Sequence, residues 1–81
     1  MSPNNQKLLR LLEDILLIDD TQYRDEFGPD EIETWDSLAM VSIAAAVEKE
    51  FGYAMTPEEM VSMGTIGDIK SVLRGQGVGF E

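Results

Sequence analysis

"ETWDSLAMVS" runs from residue 33 to residue 42 and marks the point where an acidic, aperiodic segment gives way to an apolar helix. Asp36 and Ser37 both belong to the residue types that accept hydrogen bonds from the free N–H groups of a helix's first turn. From there apolar residues recur at helical spacing as far as Phe51, and Gly52 supplies a stop. The spacing predicts a helix over 37–51. Placed at 100° steps, Met40, Ile43, Ala44, Val47 and Phe51 share one side, the expected core face. Leu38, Val41 and Ala45 fall roughly opposite, with Ser42 and Lys49 beside them. A surface helix ordinarily has one apolar stripe. A second stripe beginning beside Ser37 is either covered by the preceding loop or offered to a partner, with the acids Asp36 and Glu48 at its rim.

Upstream, a first helix is expected over about 3–18. Ser2 caps it, Pro3 suits its first position, and Leu8, Leu11, Leu12 and Ile15 form its stripe, with Lys7, Arg10 and Asp14 opposite. Residues 19–35 form a long acidic loop with a turn at Gly28-Pro29 and core anchors at Phe27, Ile32 and Trp35. Downstream, "TPEEM" (residues 56–60) opens a short third helix: Thr56 caps, Pro57 leads and Glu59 closes a capping box. A fourth helix follows Gly64, with Thr65 and Asp68 as a second box-like pair, Ile66, Ile69 and Leu73 as its stripe, and Gly75 as its end. No strand pattern or internal repeat is present. The expected fold is all-α, a small four-helix bundle of three longer helices and one short one, with a long loop between the first two. One domain spans 1–81, with an ordered core over about 3–74 and a glycine-rich tail over 75–81 that frays.

The totals bound the function. A chain of 81 residues that is 43% apolar builds one small core and no deep active site. It has no cysteine and no histidine. Disulfides and thiolate metal sites are therefore excluded, which fits a reducing, cytoplasmic compartment. Arg10, Glu13 and Asp14 interrupt the N-terminal apolar run, so it is not read as a signal peptide, and no segment approaches the roughly 20 apolar residues of a membrane span. Sixteen Asp and Glu against six Lys and Arg give a formal charge of −10. That surface repels nucleic acid and attracts basic protein surfaces, and a monomer is expected. Crowding of so many carboxylates predicts folded pKa values above the ordinary range, and hence stability that rises toward mildly acidic pH.

Ser37 has no means of acting as a nucleophile alone. Histidine is missing, the G-x-S-x-G elbow is missing, and no lysine lies near in sequence. A calcium loop starting at Asp19 or Asp20 fails, because its sixth position is Arg24 or Asp25 where glycine is required. Ser37 is therefore either a plain helix cap or an acceptor for a group attached by another enzyme. The second role suits a phosphate ester, since the amides and dipole at a helix N-terminus favour an anion.

In order and spacing, the whole pattern resembles the acyl carrier protein family, which includes peptidyl carrier domains. The likeness runs from about Leu8 to Leu73: a first helix, a long acidic loop, "DSL" opening a second helix that ends in "EKEFG", a third helix in "TPEEM", and "MGTIGDI" opening the last. The resemblance implies that Ser37 carries a 4′-phosphopantetheine arm, transferred from coenzyme A by a phosphopantetheinyl transferase. The arm's thiol holds acyl or aminoacyl groups as thioesters. It also implies that the chain is not itself an enzyme, and that Asp36 and Leu38 are read during modification and docking. The second apolar face, with Val41, Ala45 and Glu48, becomes the docking patch for acyl-activating and acyl-transferring enzymes with basic surfaces. Ala39, Ser42 and Lys49 make the second helix less acidic than in fatty-acid carriers. Together with Trp35 and "FGYAMTPEEM", they are more similar to discrete carriers of specialised pathways, polyketide-like or another secondary pathway, with lipid synthesis and a peptidyl or aminoacyl (D-alanyl-type) carrier as the alternatives. Met40, Met55 and Met63 are read as ordinary core, soft enough to admit an acyl chain. The expectation from another class is a helical adaptor that binds one partner through Leu38, Val41 and Ala45 with no cofactor.

Overall fold

A computed structural model of the protein describes residues 2–80. Among the described residues it is all-helical and has no strand: α1 (Pro3–Leu16), α2 (Ser37–Phe51), α3 (Pro57–Ser62) and α4 (Ile66–Arg74). None of these helices is long and apolar enough to cross a membrane.

The Ser2 side chain caps α1 by accepting from the Asn5 N–H, with Pro3 in the first turn. Leu8, Leu11, Leu12 and Leu16 are buried, while Ile15 is only half-buried. The helix ends two residues earlier than its apolar run suggests. Leu17 takes the left-handed conformation, φ 58°, and its N–H closes the last turn on the Glu13 carbonyl. A non-glycine residue there costs about 1–2 kcal/mol. The turn offsets that cost by sending Ile18 into the core and by placing the Leu16 carbonyl against the Thr34 hydroxyl.

The long loop is pinned rather than free. Asp19 caps a 3₁₀ turn at Asp20–Gln22, and Ile32 and Trp35 are buried with Phe27 packed against the same core. The carbonyls of Phe27 and Asp25 accept from the N–H groups of Ile66 and Gly67, both at 2.9 Å. Those are donors that a helix N-terminus leaves unpaired. Gly28 is buried so tightly that a Cβ there would lie 2.0 Å from the Gly64 carbonyl oxygen. Lys70, buried on α4, donates to Asp25 at 2.6 Å and lies 4.6 Å from the centre of the Tyr23 ring. The capping box of α3 forms as its sequence predicts. The second box is displaced by one residue: Thr65 accepts from the Asp68 N–H, but the Asp68 carboxylate accepts from Gly64.

At the C-terminus the structure departs from expectation. Gly75 stays right-handed and the chain reverses instead at Gly77, φ 89°. The Val78 and Gly77 N–H groups bond back to Leu73 and Arg74, a Schellman closure. Residues 78–80 then pack rather than fray. Phe80 is 6% exposed and sits 6.1 Å from the Phe51 ring centre, and its carbonyl accepts from Asn5. One large aromatic outweighs the entropy that the glycines cost.

The expected upward carboxylate shift is also overturned where a shift is visible. Hydrogen bonds from Thr21, first through its hydroxyl, hold Asp19 below its ordinary value. The Thr56 N–H and then the Tyr53 hydroxyl do the same for Glu59. Local donors act on these carboxylates more strongly than the diffuse negative charge, which water screens.

Candidate functional site

Asp36, not Ser37, caps α2. Its backbone is extended and its carboxylate accepts from the Ala39 N–H at 2.8 Å. Ser37 is consequently the first helical residue, and its side chain is exposed. The reading of Ser37 as a plain cap is therefore wrong. Its own N–H and that of Leu38 have no acceptor among the described residues.

Two buried residues hold this helix start in place. Trp35, 4% exposed, precedes the cap, and Ala39, 7% exposed, follows it. The Trp35 indole N–H is buried without an acceptor among the described residues. Such a group costs about 1–3 kcal/mol, which the burial of so large a ring offsets. The sequence marks Ala39 only as a residue that makes the second helix less acidic. It is instead a small residue where α2 packs closely.

The second apolar face is not covered. Leu38 is 79% exposed and Val41 61%, and Ala45 and Glu48 are exposed further along α2. Ser37 and Val41 share the wall of an open, largely apolar groove of about 380 Å³. Met40 and, from α3, Pro57, Met60 and Val61 complete it. Val61 is 85% exposed. The α3 wall was not anticipated, although "MVS" at 60–62 gave a signal: a short helix with two apolar residues that are not both needed in the core. Met40 thus lies at the groove and is half-buried, whereas Met55 and Met63 are ordinary core. Ala45 and Glu48 belong to the same helix but not to the groove.

The other serines stand differently. Ser2 is itself a cap, Ser62 donates to the Glu59 carbonyl, and Ser42 and Ser71 lie inside α2 and α4. Among the described residues no hydrogen bond joins the Ser37 hydroxyl to a base, and the adjacent Asp36 carboxylate is engaged with the backbone. The arrangement presents a hydroxyl at the positive end of a 15-residue helix, beside an apolar surface.

The bundle thus displays one hydroxyl at a helix start, open to an outside enzyme. Comparison with family models gives a match to the phosphopantetheine attachment site over residues 6–73. The chain belongs to that family, and it is a carrier protein with covalently attached 4′-phosphopantetheine as its cofactor. Phosphopantetheinyl transferase and acyl-handling enzymes are its partners, and domains of this kind are generally non-catalytic. A search of curated proteins returns no match.

Proposed function

We propose that Ser37 bears the 4′-phosphopantetheine arm and that the chain delivers an acyl or aminoacyl unit from it to partner enzymes. The observation that carries this reading is the exposed Ser37 hydroxyl at the first position of α2, at the mouth of the α2–α3 groove. The residues present suit the group. The free amides of Ser37 and Leu38 offer hydrogen bonds and positive potential to a phosphodiester. The apolar groove offers a surface for the rest of the arm. When bound, the arm supplies a thiol, which this cysteine-free chain lacks.

Attachment breaks the pyrophosphate bond of coenzyme A, joins the pantetheinyl phosphorus to the Ser37 oxygen and releases adenosine 3′,5′-bisphosphate. The serine proton leaves to a base on the transferase, since no side chain among the described residues is hydrogen-bonded to the Ser37 hydroxyl. Asp36 fixes the start of α2 and so fixes where the hydroxyl stands. Leu38 and Val41, with Ala45 and Glu48 beyond them, form the docking face, and the acids attract partners with basic surfaces.

The bundle centre is filled: Leu8, Leu12, Ile43, Val47, Ile66, Ile69 and Leu73 are each 0% exposed. That favours a short acyl or aminoacyl cargo resting in the α2–α3 groove over a long chain threaded into the core, and hence a specialised pathway. The test is incubation with coenzyme A, magnesium and a broad-specificity phosphopantetheinyl transferase. The protein should gain one phosphopantetheine and one thiol, and Ser37→Ala should gain neither. Intact mass of the protein from its native cells then reads the cargo. A long saturated acyl chain there would contradict the short-cargo reading.

A further inference from the structure

The molecule carries a charge of −10 and only six basic residues. Half of them, Lys7, Arg10 and Lys49, line a single groove of about 450 Å³ between α1 and α2. The one ion pair among the described residues is Lys70–Asp25, so none of these three cations is matched. Asp14 and Glu50 stand on the same rim but do not come within ion-pair distance of them. The floor is apolar, formed by buried Leu11 and half-buried Ile15 and Ala46. With three cations against two carboxylates, the lining is net positive by one over a hydrophobic floor, in a molecule that is otherwise strongly acidic.

The charge distribution narrows what fits. A nucleic acid or an anionic membrane extends well beyond the groove and meets the surrounding negative surface. A second copy of the chain brings another −10. A short segment whose acids stay within the groove avoids both penalties. Its carboxylates face Lys7, Arg10 and Lys49 while an apolar side chain reaches Leu11, Ile15 and Ala46. The groove volume lies within the roughly 300–1,000 Å³ range of ordinary binding clefts.

We propose that the α1–α2 groove docks a short acidic segment of a partner protein, anchored by an apolar side chain. Lys49 lies twelve residues along α2 from Ser37, roughly 18 Å at 1.5 Å per residue. A partner held there leaves the Ser37 end open to a second enzyme. The site does not depend on which serine carries the arm.

The test uses the ¹⁵N-labelled full chain and an amphipathic helical peptide built of glutamate and leucine. A second peptide with lysine in place of each glutamate is the control. Shifts should concentrate at Lys7, Arg10, Ile15, Ala46 and Lys49, and binding should weaken with salt. The Arg10→Glu/Lys49→Glu double variant should lose on the order of tenfold in affinity or more, with an unchanged melting temperature. Arg10→Lys/Lys49→Arg should retain binding. Four results would overturn the proposal: equal binding of the lysine peptide, no shifts at millimolar peptide, shifts centred on Leu38 and Val41, or the same shifts with inorganic phosphate alone. Self-association abolished by the double glutamate variant would reassign the groove to a second copy and overturn it as well.

Discussion

Ser37 and Asp36 divide two tasks that their shared chemistry would let either perform. Asp36 holds the helix start through the Ala39 N–H, which leaves Ser37 uninvolved in capping. Asp36→Ala should therefore cost about 1 kcal/mol in urea unfolding, the usual worth of an acidic or hydroxyl cap. Ser37→Ala should change stability by less than about 0.5 kcal/mol, as exposed substitutions do. A larger loss for Ser37→Ala than for Asp36→Ala would show that the roles are reversed. The sequence makes the pair conspicuous but does not choose between its members, because both are good caps. Only the φ and ψ of the junction decide. The same limit hides Ala39, whose small side chain reads only as a loss of acidity along the helix until the neighbouring packing is seen.

At the level of elements, the acidic loop is an active part of the fold. Its carbonyls complete the N-terminus of α4, and Gly28 touches Gly64 closely enough to exclude any side chain. Gly28→Ala should destabilise by about 1–3 kcal/mol, the usual range for overpacking against backbone, read as a lower urea midpoint. A neutral outcome would mean that the loop can lift away. On α2, Val41→Asp should keep the helical spectrum and the melting temperature while impairing loading by partner enzymes, because Val41 is exposed beside Ser37. Unfolding of that variant would place Val41 in the core. The α3 capping box links stability to pH. The Thr56 N–H and the Tyr53 hydroxyl depress the Glu59 pKa in the folded state, so its stabilising effect is complete above the unfolded value of about 4.5. It is lost as pH falls through the lower folded value. The difference in melting temperature between wild type and Glu59→Gln should hold from neutral pH to about 5 and narrow below about 4.5. A constant difference down to pH 3 would contradict the linkage. Helix existence and caps were legible in the sequence because Pro57, Thr56 and Glu59 act locally. The turn at Leu17 was not, because it is set by where Ile18 and Thr34 are held by the rest of the fold.

For the whole molecule, the sequence made the bundle and a second apolar face visible, since periodicity alone separates Leu38, Val41 and Ala45 from the core stripe, but it left open whether the loop covers that face. It did not reveal the packed tail or the clustering of Lys7 and Arg10 with Lys49. Both depend on which ends of α1, α2 and α4 meet, and no local pattern encodes that. The molecule that results is a helical support that presents the Ser37 hydroxyl at the start of α2, with an open apolar groove beside it and a separate groove lined by Lys7, Arg10 and Lys49 toward the far end of α2. The central claim is that Ser37 is the point of attachment. Fragmentation mass spectrometry of the transferase-treated protein tests it most directly. Phosphopantetheine should be found on the peptide bearing Ser37 and on no other. Its presence on Ser2, Ser42, Ser62 or Ser71, or on none, would contradict the account.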